Sequence, residues 1–97
     1  MILTYEYYID PELDISHTTK HNVSHEEIVE FFTETNYIKY QRKDKSYVAI
    51  SKIKNKRYLQ IIYRQIKKDY LYIITAYDID DPYLIEMIES NYKNENY

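Results

Sequence analysis

Arginine, histidine and tyrosine are the residues of this 97-residue chain whose types bear most on chemistry. A planar guanidinium grips phosphate oxygens in a bidentate fork, so Arg42, Arg57 and Arg64 are candidate phosphate clamps. His21 is a candidate general acid or base, because an imidazole titrates near working pH. Tyr47, Tyr58 and Tyr77 can stack on an unpaired base or donate a hydroxyl proton. Each group also has a structural use. Arginines at strand ends pair with nearby acids, a histidine ahead of a helix bonds a carbonyl, and tyrosines fill amphipathic sheets.

His17, His21 and His25 recur at i, i+4 and i+8, which on a continuous helix would form a metal-binding face. Ser24 interrupts any such helix with a cap, so no metal is expected there. Asp78, Asp80 and Asp81 read as a turn and a helix cap before they read as a magnesium site. Cysteine and glycine are both absent. That excludes disulfides, a thiol nucleophile and a glycine-rich phosphate loop. No cofactor is expected.

The net charge of -3 conceals a segregation. Residues 1–34 carry one basic residue against eight acids. Residues 35–77 carry eleven basic residues against Asp44 and Asp69, a net of +9. Residues 78–97 carry Lys93 against six acids. A basic middle between acidic flanks hints at an anionic partner, although lysines also protect strand edges from aggregation. With no long apolar run and no leader pattern, the expectation is a soluble cytoplasmic protein without membrane contact.

These side chains need a frame, and the hairpin over 57–78 supplies its centre. Two runs rich in Ile and Tyr flank the short charged link Gln65–Asp69. Leu59, Ile61 and Tyr63 share a face with Arg57 and form its core side. Tyr58, Gln60 and Arg64 occupy the other face, expected to be open and to include Tyr47. The second run is ambiguous, with Leu71, Ile73, Thr75 and Tyr77 opposing Tyr70, Tyr72, Ile74 and Ala76.

Ser24 and Glu27 form a capping box, with Val23 and Ile28 placed as a hydrophobic staple. They predict a helix from His25 to Glu34 whose Phe31 and Phe32 cover the sheet. Further strands are predicted over 2–9, 37–42 and 46–52, and a weak helical turn over 11–16 behind Asp10-Pro11. Lys54–Lys56 is a tight link with Asn55 in the left-handed position. Asp81 caps a final helix over 82–92, and Tyr92–Tyr97 frays. The chain is one α+β domain, residues 1–97. It comprises an N-terminal strand and turn segment (1–22), a helix (24–34), an antiparallel sheet of three to five strands (37–78) and a closing helix (82–92).

Along this frame Asp10, Lys20-His21-Asn22-Val23-Ser24, a Glu-rich helix, Arg57-Tyr58-Leu59 and Ile73-Ile74-Thr75-Ala76 resemble the BrnT-type toxins. Those toxins carry an Asp, then K-H-G-V-S some eleven residues on, an E-R-R stretch, G-R-L-L and I-I-S-A-R. Here Asn22 replaces the Gly, Gln41-Arg42-Lys43 stands for E-R-R, Tyr77 replaces the final Arg, and His17 and Leu13 replace an Asn and a Lys. The resemblance implies a RelE-like fold, metal-independent cleavage of single-stranded RNA by 2′-hydroxyl attack, and a cognate antitoxin. Arg57, Arg64, His21 and Tyr77 would then be catalytic, with Lys20, Arg42, Tyr47 and Tyr58 binding RNA. The other reading is a non-catalytic module, a decayed toxin that docks an acidic partner segment through its basic sheet. Self-association through Tyr-rich edges, giving a homo-oligomer, fits either.

Overall fold

The capping box at Ser24 starts the element that covers the core. In a computed structural model that describes residues 2–95, with side chains through 91, the Ser24 hydroxyl accepts from the Glu27 amide and the Glu27 carboxylate accepts from the Ser24 amide. Helix α2 (His25–Glu34) follows, after the one-turn α1 (His17–Lys20). Its apolar stripe of Ile28, Phe31 and Phe32 is buried, and Val23 ahead of the cap joins the same cluster. Phe31 is fully inaccessible, so Phe31→Ala would cost about 3–5 kcal/mol.

The surface that α2 covers is a five-stranded sheet in the order β1 (Thr4–Tyr7), β7 (Tyr70–Asp78), β6 (Tyr58–Lys67), β5 (Tyr47–Lys52), β4 (Ile38–Gln41). Neighbours run antiparallel except β1, which pairs parallel to β7 with Tyr5 opposite Leu71. The sheet is therefore mostly, not wholly, antiparallel. A two-stranded ribbon, β2 (Ile9–Asp10) with β3 (Ile15–Ser16), replaces the helical turn predicted over 11–16. Asp10 accepts from the amides of Glu12 and Leu13, and Asp14 at φ 57° closes the turn before a helix can propagate.

The first face of the sheet buries Ala49, Leu59, Ile61, Tyr63, Leu71, Ile73 and Ala76 against α2. The predicted core side of β6 is the observed one. In β7 the ladder passes from Tyr63↔Ile73 to Ile62↔Thr75, a bulge. It brings Ala76 onto the side of Leu71 and Ile73, which strict alternation had set apart. Tyr47 lies on this first face, stacked on Tyr63 at 5.5 Å, not beside Tyr58 as expected.

The second face is not open throughout. Helix α3 (Pro82–Glu95) lies across its lower rows, where Ile79 and Ile88 bury Ile50, and Ile38 and Tyr58 pack alongside. The two helices thus sandwich part of the sheet. Asp81 accepts from the Tyr83 amide at the start of α3, as a cap should. That helix continues to Glu95, past the predicted limit at 92, so residues 92–95 of the stretch expected to fray are helical, and residues 96 and 97 of that stretch lie outside the described residues. Without glycine, Asn22, Lys45 and Lys56 take φ of 59°, 71° and 68°. The turn over 54–56 places Lys56, not Asn55, in the left-handed region, because Asn55 spends its side chain on the Arg57 amide and Glu27.

Candidate functional site

Arg57 leaves the β5–β6 turn on the α2 side of the sheet and ends in a nest of acceptors. Its Nε and Nη2 donate to the two Asp78 oxygens at 2.5 and 2.9 Å. Nη1 donates to Glu27 at 2.9 Å and to the Asn22 carbonyl at 2.8 Å, and Nη2 reaches the His21 carbonyl at 3.3 Å. A guanidinium has five N–H groups, and all five are spent. Asp78 foremost, and Glu27 with it, hold the arginine firmly protonated against partial burial. Asp78 is held below the usual carboxylate range, chiefly by the hydrogen bond from Arg57. Burial pushes Glu27 upward, but the Ser24 amide, Arg57 and Asn55 outweigh it and leave it depressed. One cation between two carboxylates leaves the nest with an excess negative charge. A phosphate finds neither a donor nor an attractive field there.

His21 and Tyr77 sit beside this nest. His21 ends α1, its amide bonded to the His17 carbonyl, and its exposed ring lies 5.8 Å from the Tyr77 ring. Gln60 donates to the Tyr77 hydroxyl at 2.6 Å. Lys20 is exposed next door. Three of the four catalytic candidates therefore gather at one end of the sheet. Arg64 does not. It stands seven residues along β6 from Arg57, about 23 Å away, and on the other face.

The histidines diverge as well. His17 bonds Asp10 at 3.1 Å, and His25 bonds the Tyr7 hydroxyl at 2.6 Å. Among the described residues no group of His, Asp or Glu converges as a metal site would require. Tyr58 gives its hydroxyl to Glu89 beneath α3, a bond that raises its pKa, and so is not presented to a ligand.

The basic segment divides between the two ends of the sheet. At the lower end, with Arg57, Lys52 pairs with Glu89 at 3.2 Å and Lys54 with Glu34 at 2.9 Å. At the upper end lie the β4–β5 turn, with Arg42, Lys43 and Lys45, and the end of β6 with its turn, where Arg64, Lys67 and Lys68 stand. These six cations share the two turns with Asp44 and Asp69. Glu6 stands beyond Tyr72 in the Arg64 row and accepts from the Tyr70 hydroxyl. The one ion pair the six make among the described residues is a loose 3.8 Å contact from Arg64 to Asp44. The Asp44 carboxylate is already occupied by the amide and hydroxyl of Ser46.

Register decides what faces these cations. Arg42 bonds Ser46, one step beyond the Tyr47↔Tyr63 pair, and Arg64 stands opposite Tyr72. Arg42 and Arg64 therefore share a row of the second face, two strands or about 10 Å apart. The next row down carries Tyr40, Val48 and Ile62. Tyr40 is 59% exposed and Tyr72 half-buried. Both fall above the rows that α3 packs on. This upper surface brings together Arg42 and Arg64 from the expected set. It adds Tyr40, Tyr72, Lys67 and Lys68, which the sequence reading did not single out. The signal for them was the hairpin register, which a bulge obscured.

No family model, curated protein or solved structure matches the chain. None of the helices among the described residues is long and apolar enough to cross a membrane.

Proposed function

We propose that this protein binds single-stranded RNA on the upper half of the second sheet face, as a binding module. What supports the reading is the row holding Arg42 and Arg64, ringed by lysines without ion-pair partners among the described residues and flanked by the exposed ring of Tyr40 and the half-buried ring of Tyr72. Guanidinium groups and lysines take the phosphates, and tyrosine faces stack on bases without demanding a sequence. Binding of a labelled, unstructured oligoribonucleotide, followed by fluorescence anisotropy across a salt series, tests this. The affinity is expected to fall with salt at a slope of about -0.7 per phosphate contacted, and Arg42→Ala with Arg64→Ala to lower it at least tenfold. RNA that stays free at low salt refutes the proposal.

A second reading keeps the activity implied by the likeness to BrnT-type toxins. In it a cytoplasmic, antitoxin-neutralised endoribonuclease uses His21 as acid or base and the Tyr77 hydroxyl as donor. The contact between these rings favours it, with Gln60 orienting the hydroxyl. Arg57 would then be a positioning residue, holding the His21 carbonyl. Cleavage of the same RNA in chelator, lost in His21→Ala, separates this reading from binding alone. Intact RNA at high protein concentration removes it.

A further inference from the structure

Strand β4 is an edge of the sheet, and its hydrogen-bonding pattern can be read from one contact. The Arg42 amide donates to the Ser46 carbonyl, which makes that pair a hydrogen-bonded one. Alternation then turns the backbone groups of Ile38 and Tyr40 towards β5 and those of Lys39 and Gln41 outward. Two adjacent donor–acceptor sets are thus presented along an unpaired edge.

Beside that edge runs a groove of about 390 Å³, lined by Ile38, Tyr83, Glu86, Met87, Ser90 and Asn91. Its α3 wall repeats at helical spacing, and Tyr83 and Met87 are 70% and 37% exposed. Tyr40 continues the apolar strip along the strand on the same face. On the opposite face of β4 the exposed charge is Lys39, whose ammonium lies 5.1 Å over the Tyr47 ring. No acid lies on the strand itself.

We infer that β4 accepts an extended peptide as a sixth strand, one whose alternate side chains are apolar and acidic. The apolar set enters the groove against Ile38, Tyr83 and Met87, and an acidic side chain stands across from Lys39. The charge pattern selects this occupant. A second copy pairing edge to edge would bring Lys39 and Arg42 of both copies together, and an acid in the groove would face Glu86. The surface adjoins the proposed RNA face and shares Tyr40 with it, but Lys39 and the α3 wall take no part in the RNA face, so substitutions there separate the two.

A fluorescein-labelled eight-residue peptide alternating Glu and Val, titrated with the full chain, tests the inference. Binding is expected, with Lys39→Glu weakening it at least tenfold and the exposed-site change Met87→Glu at least fivefold. An antiparallel added strand exchanges hydrogen bonds through the residue opposite Lys39, so N-methylating the Glu amides abolishes binding while N-methylating the Val amides costs under threefold. A Lys–Val peptide binding as well as the Glu–Val peptide overturns the inference. So does binding indifferent to methylation, or a Lys39-dependent dimer in light scattering that excludes the peptide.

Discussion

The two ends of the sheet have similar basic residues and opposite fates. At the lower end Lys52, Lys54 and Arg57 are each met by a carboxylate, and Arg57 by two. At the upper end Arg42, Lys43, Lys45, Lys67 and Lys68 meet none within ion-pair distance among the described residues. The helices cause most of the difference, and one strand end adds to it. Glu27, Glu34 and Glu89 belong to α2 and α3, which bring their carboxylates to the lower end, and Asp78 ends β7 there. What a cation can do for a ligand is thus decided by which acids the neighbouring helices and strand ends deliver to it.

The largest effect is expected from breaking the lower end. Arg57→Ala strands two carboxylates and two carbonyls, and should cost about 3 kcal/mol. Thermal melting should then fall by ten degrees or more, at roughly 4–8 °C per kcal/mol for a domain of this size. RNA affinity measured in the cold should change less than twofold. A loss of RNA binding without loss of stability would return Arg57 to the phosphate site.

The reverse pattern is expected above. Arg42→Ala combined with Arg64→Ala should weaken RNA at least tenfold and reduce the salt slope by about 1.4, with melting nearly unchanged. Calorimetry alongside anisotropy separates the two behaviours.

Acid titration sharpens the contrast further. Asp78 and Glu27 are depressed below the ordinary 3.8 and 4.5 by their folded partners. Their contribution is therefore complete above the ordinary carboxylate range and lost as pH falls through their lowered values. Urea unfolding should be flat from pH 7 to about 5 and weaken steeply below 4, and Arg57→Ala should flatten that acid limb. The smallest effect belongs to Lys54→Ala, whose solvent-screened pair with Glu34 should leave both melting and RNA affinity nearly unchanged.

Much of this frame was legible in local sequence. The Ser24–Glu27 box, the Phe31–Phe32 stripe and the alternation of Leu59, Ile61 and Tyr63 involve neighbours a few residues apart, so spacing alone reveals them. The side of Tyr77 turned on a bulge between Ile73 and Ala76, which no period exposes. The state of Arg57 turned on Glu27 and Asp78, thirty and twenty-one residues away. A sequence displays a guanidinium but not whether its five hydrogens are already committed. The upper site was hidden for a related reason: Arg42 and Arg64 are neighbours through register, across a strand that belongs to neither.

The parallel pairing of β1 has a further consequence. Thr4–Tyr7 has its ladder partners at residues 70–73, so this strand leaves the ribosome well before the one it pairs with and waits for it. The β6–β7 hairpin needs only local closure and can form as soon as it emerges. Until then the nascent chain carries Tyr5 and Tyr7 without the wall they are shaped to meet, and synthesis, not the ladder, sets when the sheet is completed.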